Sequence, residues 1–159
     1  MSFFGIEQVA EMLGTSQVRL NKLGAIASIT ASVDKGGIQG KRRHFSVQDV
    51  CGLGLALWLW QAGLRGSAIS DVMGHKVSQG LMSNLISLAR IKREAERRRL
   101  LVAVNFRRPA KGHPRAKRHY EAVWLTETLE HPKSKLRRSS GVVVPVGELL
   151  HLLAKALES

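Results

Sequence analysis

Near its start the chain has apolar residues at the spacing of a short amphipathic helix. They are Ile6, Val9, Ala10, Met12 and Leu13. Gly14 then ends this helix, because glycine readily adopts the left-handed conformation that follows a helix. Thr15 or Ser16 can cap a second helix, which runs to about Leu23. Two short helices joined by a glycine-containing turn are typical of a helix-turn-helix.

The next segment has the pattern of a β-hairpin. Ala25–Gly40 mixes β-branched residues with a glycine-containing turn at Asp34–Gly37, and Lys41–Phe45 supplies the returning strand. Placed directly after the two helices, this hairpin predicts a winged helix-turn-helix.

A strongly apolar helix is predicted after the hairpin. Ser46 and Asp49 have the spacing of a capping box, so this helix begins at Val47 and ends at about Gln61. Apolar side chains occupy nearly all of its sides, which indicates burial in a core or in a partner. A shorter fourth helix is predicted over Ser67–Met73.

The second half combines a helical pattern with strands. Apolar residues three or four apart predict one helix of about four turns over Val77–Ile91. Segments rich in valine, leucine and aromatic residues predict three strands, at Leu100–Phe106, Tyr120–Thr126 and Val142–Val146. An amphipathic pattern predicts a closing helix over Gly147–Leu157. Prolines, a glycine and many cations predict an exposed loop over Arg107–His119, and His131–Gly141 is a second basic linker.

These elements predict an α+β fold in two domains. Residues 1–75 form the winged helix-turn-helix, and residues 76–159 form a basic domain with a short antiparallel sheet and a closing helix. The helix over 77–91 is either a dimerisation element or a packed connector. The paired half-sites that such modules bind favour a homodimer.

The net charge of +13 favours an anionic partner, either nucleic acid or an acidic membrane face. Residues 1–75 have seven lysines and arginines against five carboxylates, a net charge of +2, and residues 76–159 have eighteen against seven, a net charge of +11. No apolar run reaches the roughly 20 residues of a membrane-spanning helix. We therefore expect nucleic acid and no membrane as the partner.

Several short stretches of the first half resemble the MerR family of transcription regulators. They lie within residues 4–74 and comprise Phe4–Ala10, Leu13–Ser16, Arg43–Ser46 with Asp49 and Val50, and Gly63–Leu64 with Ile69. The resemblance implies a transcription regulator that binds a specific double-stranded DNA sequence as a dimer. Similar winged modules occur in phage excisionases and terminase small subunits, so an excision or DNA-packaging factor is the alternative.

The residues expected to contact DNA lie on the second helix, in the wing and in the basic second half. They are Ser16, Gln17, Arg19, Asn21 and Lys22 on the helix, Lys41, Arg42 and Arg43 in the wing, and Arg65, Arg107, Arg108, Lys117 and Arg118 beyond it. Arg19 can bond guanine bidentately, and Gln17 or Asn21 can pair with adenine. The resemblance implies that Arg43 grips the DNA backbone beside the groove.

Other side chains of these segments have different expected roles. Val18 and Leu20 are expected to serve helix packing and not base contact. The cations of Arg90–His119 are expected either to form an arm that tracks phosphates or enters a minor groove, or to be a solvated charge run or a clamp for an acidic partner.

The sequence favours a binding protein over an enzyme. The six histidines are scattered, and no pair has the spacing of a helical metal site, so neither metal nor cofactor is expected. The single cysteine, Cys51, lies in an apolar run, which indicates a buried thiol in a reducing cytoplasm. We expect a bacterial or phage-encoded, nucleoid-associated protein, and no feature identifies a small-molecule effector. The alternative outside DNA binding is a basic adaptor for RNA or protein.

Overall fold

The computed structural model describes residues 3–29, 33–35, 42–108, 117–124 and 141–159, and side chains within 3–29, 44–104, 120–124 and 141–159. The described residues form an α+β structure of seven helices and two three-stranded antiparallel sheets. The helices are α1 (Ile6–Met12), α2 (Gln17–Ala27), α3 (Val47–Gln61), α4 (Gly66–Gly74), α5 (Lys76–Asn84), α6 (Leu88–Glu96) and α7 (Val146–Glu158). The strands are β1 (Phe3–Gly5), β2 (Val33–Lys35), β3 (Arg42–Ser46), β4 (Leu101–Arg108), β5 (Lys117–Trp124) and β6 (Gly141–Val144).

A tight turn joins α1 to α2, as the sequence predicts. Gly14 has a φ of 61°, in the left-handed region that favours glycine. The Ser16 Oγ accepts a hydrogen bond from the Arg19 backbone N–H at 3.3 Å and so caps α2. The helix continues to Ala27, beyond the predicted end near Leu23. Gly24 lies within the helix and is buried against the core.

The first sheet places β3 between β1 and β2. The predicted hairpin is present as β2 and β3, with Asp34 opposite Arg43, but Ala25–Ala27 belong to α2 and not to the hairpin. Strand β1, whose Phe4 lies opposite Phe45, was not predicted from the sequence. A strand of three residues is too short to have a recognisable periodicity.

Helix α3 is the centre of the structure. Its N-terminus has the predicted capping box: the Ser46 N–H donates to an Asp49 carboxylate oxygen at 2.8 Å, and the Asp49 N–H donates to the Ser46 Oγ at 3.2 Å. The predicted bounds Val47 and Gln61 are correct, and most residues of the helix are buried. Burial on all sides explains why this helix has no polar face.

Buried residues from both sides of residue 75 belong to one hydrophobic cluster. Helix α7 packs against both α3 and α6, so the end of the described chain covers its central helix. The division into domains at residues 75 and 76 stays a prediction, which expression of residues 1–75 alone would test.

The prediction of one helix over Val77–Ile91 is wrong. The chain forms α5 and α6 instead, and the buried Leu85 between them has a ψ of 49°, outside the helical range. Ser87 begins the second helix, since its Oγ accepts a hydrogen bond from the Arg90 N–H at 3.4 Å. The apolar spacing continues across the break because both helices bury apolar residues in the same cluster.

The second sheet has the order β5-β4-β6, with β4 in the centre. The predicted loop over Arg107–His119 is wrong at both ends, because β4 continues to Arg108 and β5 begins at Lys117. Val146 was expected to end a strand, but it begins α7 after Pro145. Three predicted stretches lie outside the described residues. They are the middle of the loop, 109–116, the last two residues of the strand predicted to end at Thr126, and most of the linker over 131–141.

Candidate nucleic-acid interface

One side of α2 is exposed along the length of the helix. The spacing of its exposed residues puts Gln17, Val18, Asn21, Lys22 and Ala25 on one face, and the exposed Arg19 lies at the edge of that face beside Lys22. The opposite side packs into the core through Leu20, Leu23 and Gly24. No residue of α2 is acidic, so the exposed face presents amides, a cation and apolar groups.

Val18 corrects one expectation about this helix. It was predicted to pack, as was Leu20, but Val18 is 80% exposed and Leu20 is 1% exposed. Residues two apart on a helix point about 200° apart, so both side chains cannot face the same core. Val18 therefore lies beside the amides of Gln17 and Asn21 on the outer face.

Arg19 and Arg65 meet at the indole ring of Trp60. The Arg19 guanidinium carbon lies 4.3 Å from the ring centroid, and that of Arg65 lies 4.9 Å from it. Both distances are within the range of a cation–π interaction. The Arg65 Nη1 also donates hydrogen bonds to the Trp60 carbonyl at 2.7 Å and to the Leu64 carbonyl at 2.8 Å. The cation of Arg19 in α2 and that of Arg65, which precedes α4, are therefore held on one half-buried ring.

The wing residues are described through the backbone of β3. Arg43 lies opposite Asp34, and Arg42 lies opposite Lys35, whereas Lys41 is outside the described residues. Successive strand residues point to opposite faces of a sheet. Arg42 and Arg43 therefore serve different faces of the wing.

The hairpin of β4 and β5 brings four of the predicted DNA contacts together. Its register pairs Arg107 with Arg118 and Arg108 with Lys117. Like charges directly opposite each other destabilise a sheet. The register therefore places four cationic residues at two adjacent positions of one strand pair.

Helix α4 connects this hairpin to α2, because it packs against both α2 and β5. An Asp71 carboxylate oxygen accepts a hydrogen bond from the Tyr120 backbone N–H at 3.3 Å. The exposed face of α2 and the basic hairpin thus belong to one packed unit.

Sequence reasoning missed Trp60 and Asp71 as residues that position the others. Both act through residues that are distant in sequence, Arg19 for the first and Tyr120 for the second.

The described residues also bear on metal binding, thiol reactivity and membrane insertion. Residues 3–29, 44–104, 120–124 and 141–159 contain no cluster of three histidine, cysteine or carboxylate side chains that could hold a metal ion. Cys51 is buried, as predicted, and its burial raises the pKa of the thiol to about 12. None of the described helices has the length and apolar character needed to cross a bilayer.

Comparison with known proteins adds no relative to this description. No protein-family profile matches the chain, and no curated protein is similar enough to count as a relative.

Proposed function

We propose that the protein binds double-stranded DNA, with α2 reading base edges and the β4–β5 hairpin contacting the backbone. The observation that carries the proposal is the exposed face of α2. This helix follows a tight turn, packs by one side only and presents no carboxylate on the other. Amide side chains such as Gln17 and Asn21 can pair with adenine in the major groove, and an exposed valine can contact a thymine methyl group.

The distribution of charge supports a division of labour between the two parts. The first half has a net charge of +2, too small to provide strong attraction to phosphates, and residues 76–159 have +11. Cationic contacts to phosphate supply most of the sequence-independent affinity for DNA. In this proposal α2 sets the register and the sequence, and the basic second half supplies much of the affinity.

The role that fits best is a transcription regulator, on the strength of the resemblance of residues 4–74 to the winged module of the MerR family. An excision or packaging factor would use the same contacts. A dimer stays a prediction from the sequence, and sedimentation equilibrium of the full chain would test it.

The test is selection of preferred sites from a random duplex pool, followed by binding of the selected duplex and a scrambled duplex at several salt concentrations. A sequence-specific binder prefers the selected duplex by at least about 10³-fold. A protein that binds both duplexes equally, or binds single-stranded RNA more tightly than either, would contradict the proposal.

The basic hairpin has its own test. Replacing Arg107, Arg108, Lys117 and Arg118 with alanine should reduce the magnitude of the slope of log affinity against log salt by up to about 3.6, because each phosphate contact contributes roughly 0.9. The preference for the selected duplex should persist. A control variant with Lys133, Lys135, Arg137 and Arg138 replaced removes the same charge elsewhere in the second half. If both variants lower the slope equally, the hairpin has no special role.

A further inference from the structure

The arrangement of Arg19, Trp60 and Arg65 has a consequence beyond general DNA binding. We propose that these two arginines, held on the indole of Trp60, form a clamp for a DNA backbone phosphate and that Trp60 is its positioning residue. The inference rests on the proposed function and assigns one defined contact within it.

The first argument is that the guanidinium groups are pre-organised. Arg65 is fixed by two carbonyl hydrogen bonds and by the ring, and Arg19 is fixed by the ring. An arginine that is already stacked loses less conformational entropy when it binds an anion. Stacking on the ring face leaves the edge of the Arg19 guanidinium free to donate in the plane, which is the geometry that phosphate oxygens accept.

The second argument is electrostatic. The two guanidinium carbons are separated by at most the sum of their distances to the ring centroid, about 9 Å. This is within the Debye length of about 10 Å at 0.1 M salt, so the two charges repel. Among the side chains that the structure describes, neither arginine forms an ion pair with a carboxylate. An anion that accepts hydrogen bonds from both guanidinium groups would offset this repulsion with two attractions.

The third argument distinguishes a phosphate from a base edge. Arg19 points about 100° from Val18, which lies at the centre of the exposed face, and about 60° from Lys22 around the axis of α2. When the face centred on Val18 enters a groove, Arg19 lies towards the flank of the helix, where the backbone runs. The clamp therefore revises the expected role of Arg19 from guanine recognition to phosphate binding.

The test compares variants on the selected and the scrambled duplex across a salt series, with folding checked by circular dichroism and thermal melting. Arg19→Ala and Arg65→Ala should each weaken binding to both duplexes by about tenfold and lower the salt slope by about one, without changing the base preference. Arg65→Lys keeps the charge but loses the planar fork, and it should also weaken both. Lys155→Ala removes an exposed cation of α7 and should leave both affinities unchanged.

The role of Trp60 in positioning the arginines needs a measurement that a general effect of Trp60 on the fold would not change. Trp60→Leu should weaken both duplexes, and Trp60→Phe should restore most of the loss because it keeps a ring. In the Arg19→Ala, Arg65→Ala background the Trp60→Leu substitution should have no further effect on affinity. If it weakens binding there as much as in the parent, Trp60 is not a positioning residue and the clamp is overturned.

The outcomes separate this inference from the function on which it rests. If the parent protein binds no duplex DNA, both are overturned. If the parent binds and the Arg19→Ala, Arg65→Ala and Trp60→Leu variants bind as tightly as the parent, only the clamp is overturned. A change of preference at one base pair in Arg19→Ala, with an unchanged salt slope, would also overturn the clamp and restore base recognition by Arg19.

Discussion

Gly147 lies directly against the backbone of Arg98, so close that a Cβ at this glycine would be 2.6 Å from the Arg98 Cα. The Gly147 N–H also donates to the Arg99 carbonyl at 3.3 Å. The start of α7 and the end of α6 are thus in contact through main-chain atoms, which cannot move aside as a flexible side chain can. Gly147→Ala should lower the free energy of unfolding by about 1–3 kcal/mol, measured by chemical denaturation.

Gly80 provides the matched control for this substitution. It is an exposed residue of helix α5, and a Cβ there would meet nothing within 4 Å. Gly80→Ala should raise the free energy of unfolding by roughly 0.5–1 kcal/mol, because alanine is the better helix former. If both alanine variants are stabilised, the close approach of α7 to α6 is incorrect.

The buried thiol of Cys51 gives a prediction about pH. Burial raises its pKa from 9.0 to about 12, since a thiolate would be poorly solvated in the hydrophobic core that surrounds α3. The neutral thiol therefore stabilises the fold fully below pH 9, and this contribution is lost as the pH rises from there towards 12. The stability difference between the parent and Cys51→Ala should shrink by about 1 kcal/mol between pH 8 and pH 10.

Alkylation provides the second measurement for Cys51. The thiolate is the reactive form, so a thiol reagent at pH 8 should modify the native protein only at the rate of unfolding and the denatured protein within minutes. Rapid modification of the native protein would show that the thiol is exposed.

Elements with local signals were predictable from the sequence, and those defined by distant contacts were not. Helix α3 has correct bounds because its capping residues Ser46 and Asp49 are three positions apart. The break between α5 and α6 was missed, because the apolar spacing through Leu85 continues as if the helix did and only the Ser87 cap marks the interruption.

In the candidate interface too, local features were predictable from the sequence and contacts between distant residues were not. The exposed positions of α2 follow from its periodicity, so Gln17 and Asn21 were expected on the surface. The position of Arg19 on Trp60 was not predictable, since the ring comes from the end of another helix. Periodicity places a residue on a side of its own helix and carries no information about which distant residue lies opposite.

Glu94 joins two arginines at the end of α6 and is 9% exposed. Its carboxylate forms ion pairs with Arg97, at 3.0 Å, and with Arg99, whose guanidinium carbon lies 4.3 Å from the ring centroid of Trp124. Removing the carboxylate leaves Arg99 partly buried without its counter-charge. Glu94→Ala should therefore lower the free energy of unfolding by about 1–3 kcal/mol, measured by urea denaturation.

Glu96 is the control for Glu94, because it is exposed on the same helix. Glu96→Ala should change the free energy of unfolding by no more than about 0.5 kcal/mol. Equal effects of the two substitutions would mean that the Glu94 ion pairs contribute nothing specific.

Val18 offers a test of base recognition that leaves the fold unaffected. It is 80% exposed on α2, so Val18→Ala removes no packing and should not lower the thermal midpoint. If the valine methyl groups cover a thymine methyl in the complex, their loss removes up to about 1.6 kcal/mol, from about 0.8 kcal/mol for each buried carbon. Binding to the selected duplex should then weaken by roughly tenfold.

The same substitution should change which bases are preferred at one position only. Site selection repeated with Val18→Ala should lose the preference for thymine at a single base pair and keep it elsewhere, while the salt slope stays that of the parent. This pattern differs from that of a phosphate contact, whose loss weakens all sequences alike and lowers the slope. An unchanged site preference would mean that Val18 lies outside the groove and that another part of α2 faces the bases.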